Sequence, residues 1–277
     1  MVNLTSDRTN VCSEILLALE SGQSLAGADL SGVELYDRDL SGANLSGANL
    51  SAASLIGVNL SGANLSGANL RSADLRGANL SGAYLSGANL EGGCLCRVDL
   101  RNANLNEANL SGAKLQVAVY DKLTVWPEGF RYKSCGAVGP GANLTGAFLN
   151  TANLRFVDLS GANLLGAYLS GADLSGANLQ GAGLSGANLR MAFLTGACLR
   201  EARLNGAELN GVDFRSADFT GASLEHITSI EGADFTGALG LGEGTRAMLC
   251  HRSSVELDAW NSYTRTTTRE SLSCESV

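Results

Sequence analysis

The chain has 277 residues, of which 45% are apolar and 17% charged, and its net charge at pH 7 is −8. It has no run of about 18 apolar residues and no signal-peptide pattern at its start, so we expect no membrane association. The acidic balance and the lack of a basic face disfavour nucleic-acid binding. The seven cysteines are odd in number and scattered, which favours free thiols in a reducing compartment and hence a cytoplasmic location.

The first segment, 1–21, predicts one short helix. Apolar residues recur at helical spacing over 10–21, with Asn10 as the N-cap and Gly22 as the stop. We expect this helix to lie over the first repeat as a cap. Its apolar stripe consists of Val11, Cys12, Ile15, Leu16 and Leu19.

A five-residue repeat follows and dominates the chain. The stretch SGANLSGANL occupies 41–50 and returns at 61–70, and the central apolar residue recurs from Leu25 to Leu115 and from Leu144 to Leu224. A period of five would send successive leucines to opposite faces of a strand and would spread them around a helix. The leucines share one interior only if the chain turns a corner in every repeat. The small residue two positions earlier then also points inward, and the Asn or Asp between them faces water.

These residues resemble a known family. The motif A(D/N)Lxx, as in Ala43-Asn44-Leu45, is similar to that of the pentapeptide-repeat proteins over about 200 of the 277 residues. The resemblance implies an all-β fold, a right-handed β-helix of square cross-section with four repeats in each coil. The repeats would then make about nine coils. The resemblance is specific for the fold and says almost nothing about activity.

The repeat is interrupted once, which divides the chain into a first block at 22–117, an inserted loop at 118–141 and a second block at 142–240. The insert holds both prolines of the chain and the aromatic residues Trp126, Phe130 and Tyr132. Long loops on rigid scaffolds often carry function, so this one is a candidate partner contact. The alternative is a loop folded back with its rings packed on the coil. Ala118 and Tyr120 can complete one more side of the coil before the chain leaves it.

Two outward columns of the predicted coil are informative. Phe148 and Tyr168 lie twenty residues apart at outward positions, so they should stack as an exposed aromatic step. This step either contacts a partner or is covered by the nearby loop or the tails. A second column predicts an asparagine ladder with side-chain hydrogen bonds from coil to coil: Asp29, Asn49, Asn69, Asn89 and Asn109.

The last segment, 241–277, loses the repeat but keeps apolar residues, which fit a cap on the other end or a surface that pairs two chains. Its ending TRTTTRESLSC, at 264–274, is similar to the tails of cyanobacterial pentapeptide-repeat proteins. The apolar residues are Leu249, Val255, Leu257 and Trp260.

Residues with catalytic or metal-binding chemistry do not form a motif. Cys94-x-Cys96 lacks two further ligands, and we interpret its thiols as incidental. His226 and His251 fall in irregular stretches, and no Ser/His/Asp or Cys/His group is brought together by the period. We therefore expect no enzyme, no metal and no cofactor.

The leading hypothesis is a non-enzymatic structural or protein-interaction scaffold whose protein partner is unknown. The alternative follows from the resemblance, because gyrase-inhibiting and quinolone-resistance members of the family mimic acidic DNA and dimerise through their C-terminal ends. Residues 22–240 carry a net charge of only −5, whereas duplex DNA as long as nine coils carries about 25 negative charges. A homodimer through the tail is consistent with either hypothesis.

Overall fold

The computed structural model describes residues 11–21 and 23–274. The chain divides into two compact units, Met1–Val138 and Gly139–Val277. Each unit is described by itself. None of the helices in the described part of the chain is long and apolar enough to cross a membrane.

The first unit begins with helix α1, Val11–Glu20. The helix predicted over 10–21 is confirmed there, and it buries Ile15 and Ala18. The backbone N–H of Gln23 donates to Ala18 O at 2.8 Å and closes the C-terminal end of the helix. That α1 caps the first coil stays a prediction. Several of its predicted elements lie outside what the structure describes: the N-cap Asn10, the stop Gly22, and the side chains of Val11, Cys12, Leu16 and Leu19.

The repeats of the first unit form a coil of very short parallel strands. Bridges join residues twenty apart, as in Asn49↔Asn69. The N–H of Leu50 donates to Asn69 O at 2.7 Å, and the N–H of Asn69 donates to Ala48 O at 2.9 Å. These bonds join one coil to the next, and Asn49 also bridges Asp29, so an inner strand pairs with the coils on both sides. The interval of twenty residues means that four repeats complete one circuit.

A tight turn separates each strand from the next. In the turn 45–48, the N–H of Ala48 donates to Leu45 O at 3.0 Å, and Gly47 has a φ of +64°. A positive φ at the third residue defines a type II turn, which explains why glycine is so common at this position of the repeat. The turn redirects the chain after every leucine, and the leucines therefore fill one interior.

The interior of the coil is formed by the leucines and the small residues that precede them. Leu55, Leu75 and Leu95 lie one circuit apart and are wholly buried, as is Ala73. The small alanine leaves room for the leucine of the same strand, so large and small side chains alternate. The inward orientation predicted from the five-residue period is confirmed.

The segment expected as an inserted loop, 118–141, continues the coil at first. Ala118 and Tyr120 are buried, and Val119 bridges Asp99 on one side and Val138 on the other. One additional residue then shifts the register, since Val125 bridges Asn104 across an interval of twenty-one residues. A 3₁₀ turn at Tyr132–Ser134 leads back to the coil.

The second unit repeats the same architecture. Its bridges run at twenty-residue spacing from Asn143↔Asn163, and one additional residue enters near 226–228, where Glu208 pairs with Ser229. Large rings replace leucine inside the last coils. Phe214 stacks on Phe235 with centroids 5.3 Å apart and meets Phe219 edge-on at 5.1 Å.

The C-terminal segment folds against the last coil of the second unit. Asn261 Nδ2 donates to Gly232 O at 2.7 Å, Thr268 Oγ1 donates to Ile230 O at 3.1 Å, and Arg252 Nη1 donates to Ile227 O at 2.8 Å. Leu249, Leu257 and Leu272 are buried. Its elements are α2 Glu243–Cys250, α3 Ser254–Leu257, the antiparallel strands β1 Trp260–Asn261 and β2 Thr266–Thr267, and α4 Thr268–Leu272.

A disulfide joins Cys250, at the end of α2, to Cys274, just after α4, with the Cα atoms 5.6 Å apart. The expectation of free thiols throughout is therefore wrong for these two residues. Their side chains meet because the segment folds back on itself, and the repeat period does not extend that far. The free cysteines among the described residues are Cys94, Cys96, Cys135 and Cys198.

Candidate interaction surfaces

The aromatic residues of segment 126–132 form a packed cluster on the first unit. Trp126 stacks on Phe130 with ring centroids 5.5 Å apart and on Tyr132 at 5.3 Å. Both Trp126 and Tyr132 also meet the ring of buried Tyr120 edge-on, at 5.6 and 5.5 Å. We call these four residues the aromatic cluster. Its three outer rings are half-buried, so the segment packs on the coil and still presents part of each ring to solvent.

Trp126 carries an unusual polar group. Its indole Nε1 is buried and has no hydrogen-bond partner among the described residues. Leaving such a donor without an acceptor costs about 1–3 kcal/mol. The indole N–H of Trp126 is therefore a polar group whose hydrogen bond the described residues leave unmade.

The aromatic step, Phe148 and Tyr168, lies on the second unit. The two rings are parallel within 6°, and their centroids are 4.9 Å apart. Phe148 is 78% exposed and Tyr168 is 45% exposed. The strand bridge Phe148↔Tyr168 places the two Cα atoms in register, so the rings stack as the twenty-residue spacing predicts.

Further apolar side chains are exposed on the second unit. Leu165 occupies the turn that leads into the strand of Tyr168 and is 50% exposed. Phe156 is 68% exposed, and the guanidinium of Arg155 lies 5.5 Å from its ring centroid. Leu165 and Phe156 thus add exposed apolar side chains to the second unit.

The side-chain amides of the asparagine column form hydrogen bonds within the protein. Asn49 Nδ2 donates to Asp29 Oδ1 at 2.9 Å, and Asn69 Nδ2 donates to Asn49 Oδ1 at 3.0 Å. The same Asn69 Oδ1 accepts from the backbone N–H of Arg71 at 3.2 Å. These amides tie each coil to the next and to the following turn, so the predicted ladder has a structural role at these links.

Five arginines on the coil surfaces each form an ion pair with an aspartate. Arg76 binds both carboxylate oxygens of Asp74, and its hydrogen bond lowers the pKa of that carboxyl. Asp213 is more buried. Burial alone raises its pKa, but hydrogen bonds from Arg215 and Thr195 outweigh it and hold the pKa below its usual value. The pairs are Arg76–Asp74, Arg101–Asp99, Arg155–Asp173, Arg200–Asp218 and Arg215–Asp213.

An open groove of about 450 Å³ lies between the coil corners of the second unit and its C-terminal segment. Arg190, Met191 and Glu231 line one side, and Val255 and Trp260 line the other. Val255 is 75% exposed and Trp260 is 61% exposed. These two residues give the C-terminal segment an apolar outer surface.

The residues with metal-binding or catalytic chemistry are mostly dispersed. No group of three or more His, Cys, Asp or Glu able to hold a metal ion occurs in the described part of the chain. His226 lies exposed in the turn before Ile227, and His251 Nδ1 is 2.6 Å from Ala247 O at the end of α2. Cys94 and Cys96 are in contact, and burial, followed by the hydrogen bond from Cys94, raises the pKa of the Cys96 thiol.

The repeats match a family model described as "Pentapeptide repeats (8 copies)", which is matched over nine overlapping or separate ranges. The matches fall at 21–51, 43–82, 53–92, 63–102, 83–116, 140–167, 152–190, 162–200 and 197–239. Together they span most of the chain and leave out the segment that carries the aromatic cluster. A comparison with curated proteins gives no significant match.

Several solved structures are similar to the chain. HetL, a pentapeptide repeat protein involved in heterocyst differentiation regulation from the cyanobacterium Nostoc sp. strain PCC 7120, is 30% identical, with 83% of this chain and 98% of HetL covered and a TM-score of 0.45. Rfr23 from the cyanobacterium Cyanothece 51142 is 44% identical over 34% of this chain and 64% of its own, with a TM-score of 0.34. Full-length QnrB1, a plasmid-mediated fluoroquinolone resistance protein, is 20% identical over 80% and 97%, with a TM-score of 0.22.

Proposed function

Because the chain belongs to the pentapeptide-repeat family, whose members form right-handed β-helices, we propose that it is a non-enzymatic scaffold that binds a protein partner. The single observation that carries the proposal is the exposed aromatic step, Phe148 and Tyr168. Phe148 and Tyr168 stack as two exposed rings, whereas Tyr84 is a single exposed ring. A contiguous exposed apolar patch of this kind is typical of an interaction site.

The geometry of the step suits a docking site. Stacking at 4.9 Å fixes both rings before any partner arrives, so little side-chain entropy is lost on binding. Burying a ring as exposed as Phe148 contributes about 1.5–3 kcal/mol. Aromatic side chains of this kind dominate the energetics of many protein interfaces.

The aromatic cluster is a second proposed contact, on the first unit. Trp126, Phe130 and Tyr132 are half-buried, so they offer less area than the step. The indole N–H of Trp126 has no acceptor in the described part of the chain. If the cluster rearranges on binding, an acceptor group of the partner protein can form this hydrogen bond.

Affinity capture from the native host, quantified by mass spectrometry, tests the proposal. The double variant F148S/Y168S should lose specific partners that the unmodified chain retains. Tyr84→Ser is the matched control, because Tyr84 is an outward ring at 56% exposure without an aromatic neighbour in its column. Identical partners for the three proteins would exclude the step as a contact, and W126S/F130S tests the cluster in the same way.

A DNA-mimicking inhibitor or protector of DNA gyrase is the second candidate. The negative sign of the net charge favours it, but the −5 carried by residues 22–240 is far below the roughly 25 negative charges of duplex DNA of that length. The five arginine–aspartate pairs weaken this candidate further, because each pair neutralises a carboxylate on the coil surface. A gyrase supercoiling assay separates the two candidates. Inhibition, or protection from a quinolone, at micromolar protein would favour the mimic over the scaffold.

We also propose that the C-terminal segment caps the last coil, with its hydrogen bonds to Ile227, Ile230 and Gly232 as support. The exposed Val255 and Trp260 support a homodimer through the outside of the same segment. Sedimentation of the unmodified chain and of V255S/W260S tests the homodimer, since only the unmodified chain should associate.

The cysteines no longer favour a cytoplasmic location. Cys250 and Cys274 form a disulfide, and disulfides are typical of oxidising compartments.

A further inference from the structure

Two outward thiols flank one buried leucine on the first unit. Leu95 is wholly buried, and Cys94 and Cys96 on either side of it are half-buried at the surface. The N–H of Cys94 donates to Ala73 O at 2.9 Å, and Cys96 O accepts from the N–H of Gly77 at 3.0 Å. The backbone of both cysteines is therefore fixed by the neighbouring coil.

The two sulfur atoms are in contact, with Sγ to Sγ at 3.7 Å. In a tetrahedral site with zinc–sulfur bonds of about 2.3 Å, the geometry of the tetrahedron places two sulfur ligands about 3.8 Å apart. The pair thus has the spacing of two ligands of such an ion without further movement. Oxygen atoms border the pair, since Gln116 Oε1 lies 3.4 Å and Lys114 O lies 3.9 Å from Cys96 Sγ.

We propose that Cys94 and Cys96 together bind one thiophilic d¹⁰ cation of the zinc class. Binding forms two metal–sulfur bonds and releases two thiol protons to solvent, with no change of oxidation state. Thiolate sulfur prefers such soft or borderline ions over magnesium or calcium. The described residues supply no third His, Cys, Asp or Glu, so the other positions of the ion take water or a small ligand and the ion exchanges readily.

The other two free cysteines among the described residues, Cys135 and Cys198, lack this arrangement and serve as internal controls. Cys135 Sγ donates to Tyr132 O at 2.9 Å. Cys198 is stacked between Asn178 and Asp218 in its column. From the sequence alone the C-x-C pair was interpreted as incidental because it lacks two further ligands. The contact between the two sulfur atoms is what the structure adds.

Cadmium titration of the full-length chain tests the proposal, with thiolate-to-cadmium charge-transfer absorption and native mass spectrometry as the measurements. The background is C250S/C274S, which removes the disulfide sulfurs and allows complete reduction before the reductant is exchanged out. We expect one cadmium ion per chain. Cys94→Ser and Cys96→Ser should each weaken binding by about tenfold or more, and C135S/C198S should leave it unchanged.

Three outcomes would overturn the proposal: no cadmium complex in the background chain, undiminished binding in both Cys94→Ser and Cys96→Ser, or a loss in only one of them. Circular dichroism accompanies every variant. Both side chains are outward, so the spectra should coincide, and a loss of binding would then reflect the ligands and not the fold.

Discussion

Removing the Cys250–Cys274 disulfide should loosen the C-terminal segment selectively. The crosslink spans a sequence separation of 24 residues. The loop-closure entropy that such a crosslink removes from the unfolded chain corresponds to about 3.5 kcal/mol. The double variant C250S/C274S should lose stabilisation of this order, and so should the unmodified chain after reduction.

The loss should be local at first. In repeat proteins each coil is stabilised chiefly by its neighbours, so a weakened end opens before the interior. Hydrogen exchange should therefore accelerate over 243–272 and in the coil that carries Ile230 and Phe235. The segment should remain folded, because Arg252 still binds Glu256 and Ile227 O and Asn261 still binds Gly232 O.

Urea denaturation with hydrogen exchange read by mass spectrometry is the assay. Oxidised chain, reduced chain and C250S/C274S are compared with C135S/C198S, which removes two free thiols and should behave as the oxidised chain. If the variant matched the oxidised chain within about 0.5 kcal/mol, a crosslink worth several kcal/mol would be refuted. The hydrogen bonds would then be sufficient to hold the segment.

Three further outcomes are expected. Leu75→Ala leaves a cavity in a wholly buried column and should lower the free energy of unfolding by about 2–5 kcal/mol in urea denaturation; a change below 1 kcal/mol, small against this range, would contradict the packing described. Asn69→Asp keeps the acceptor for the turn but removes the donor to Asn49, so it should cost about 1 kcal/mol and less than Asn69→Ala in the same measurement. The folded-state pKa of Asp213 lies below its unfolded value, so its stabilisation is present above a pH of about 4 and is lost as the pH falls further; Asp213→Asn should be less stable at pH 7 and should show a smaller loss in acid, and equal acid sensitivity would exclude this role.

The repeat blocks were predictable because one local rule governs them. A leucine at every fifth position can reach a common interior in only one way, so the turn, the inward alanine and the outward asparagine follow together. The number of repeats in a circuit does not follow from the period, and it came from the family resemblance. Once four repeats were assigned to each circuit, the twenty-residue interval was enough to predict that Phe148 stacks on Tyr168. The structure shows this stacking.

The parts outside the repeat were less predictable. The additional residues near Val125 and Ser229 are absorbed in turns, where nothing in the repeat motif marks them. The packing of Trp126 on Tyr132 and the pairing of Cys250 with Cys274 depend on how irregular segments fold back. Trp126 and Tyr132 were predicted as candidate contact residues from the sequence, but their arrangement was not. They lie outside the five-residue repeat, so its period does not fix their relative positions.

The return of the backbone to the same column after twenty residues makes the length of each block adjustable in whole circuits. Deleting 61–80 would join Leu60 to Ser81 and remove one whole circuit. Every later residue would keep its column and its position within the repeat. Deleting a single repeat would instead move each later column around by one side. A family built on this rule can grow or shrink by whole circuits while the pattern on its surfaces stays aligned.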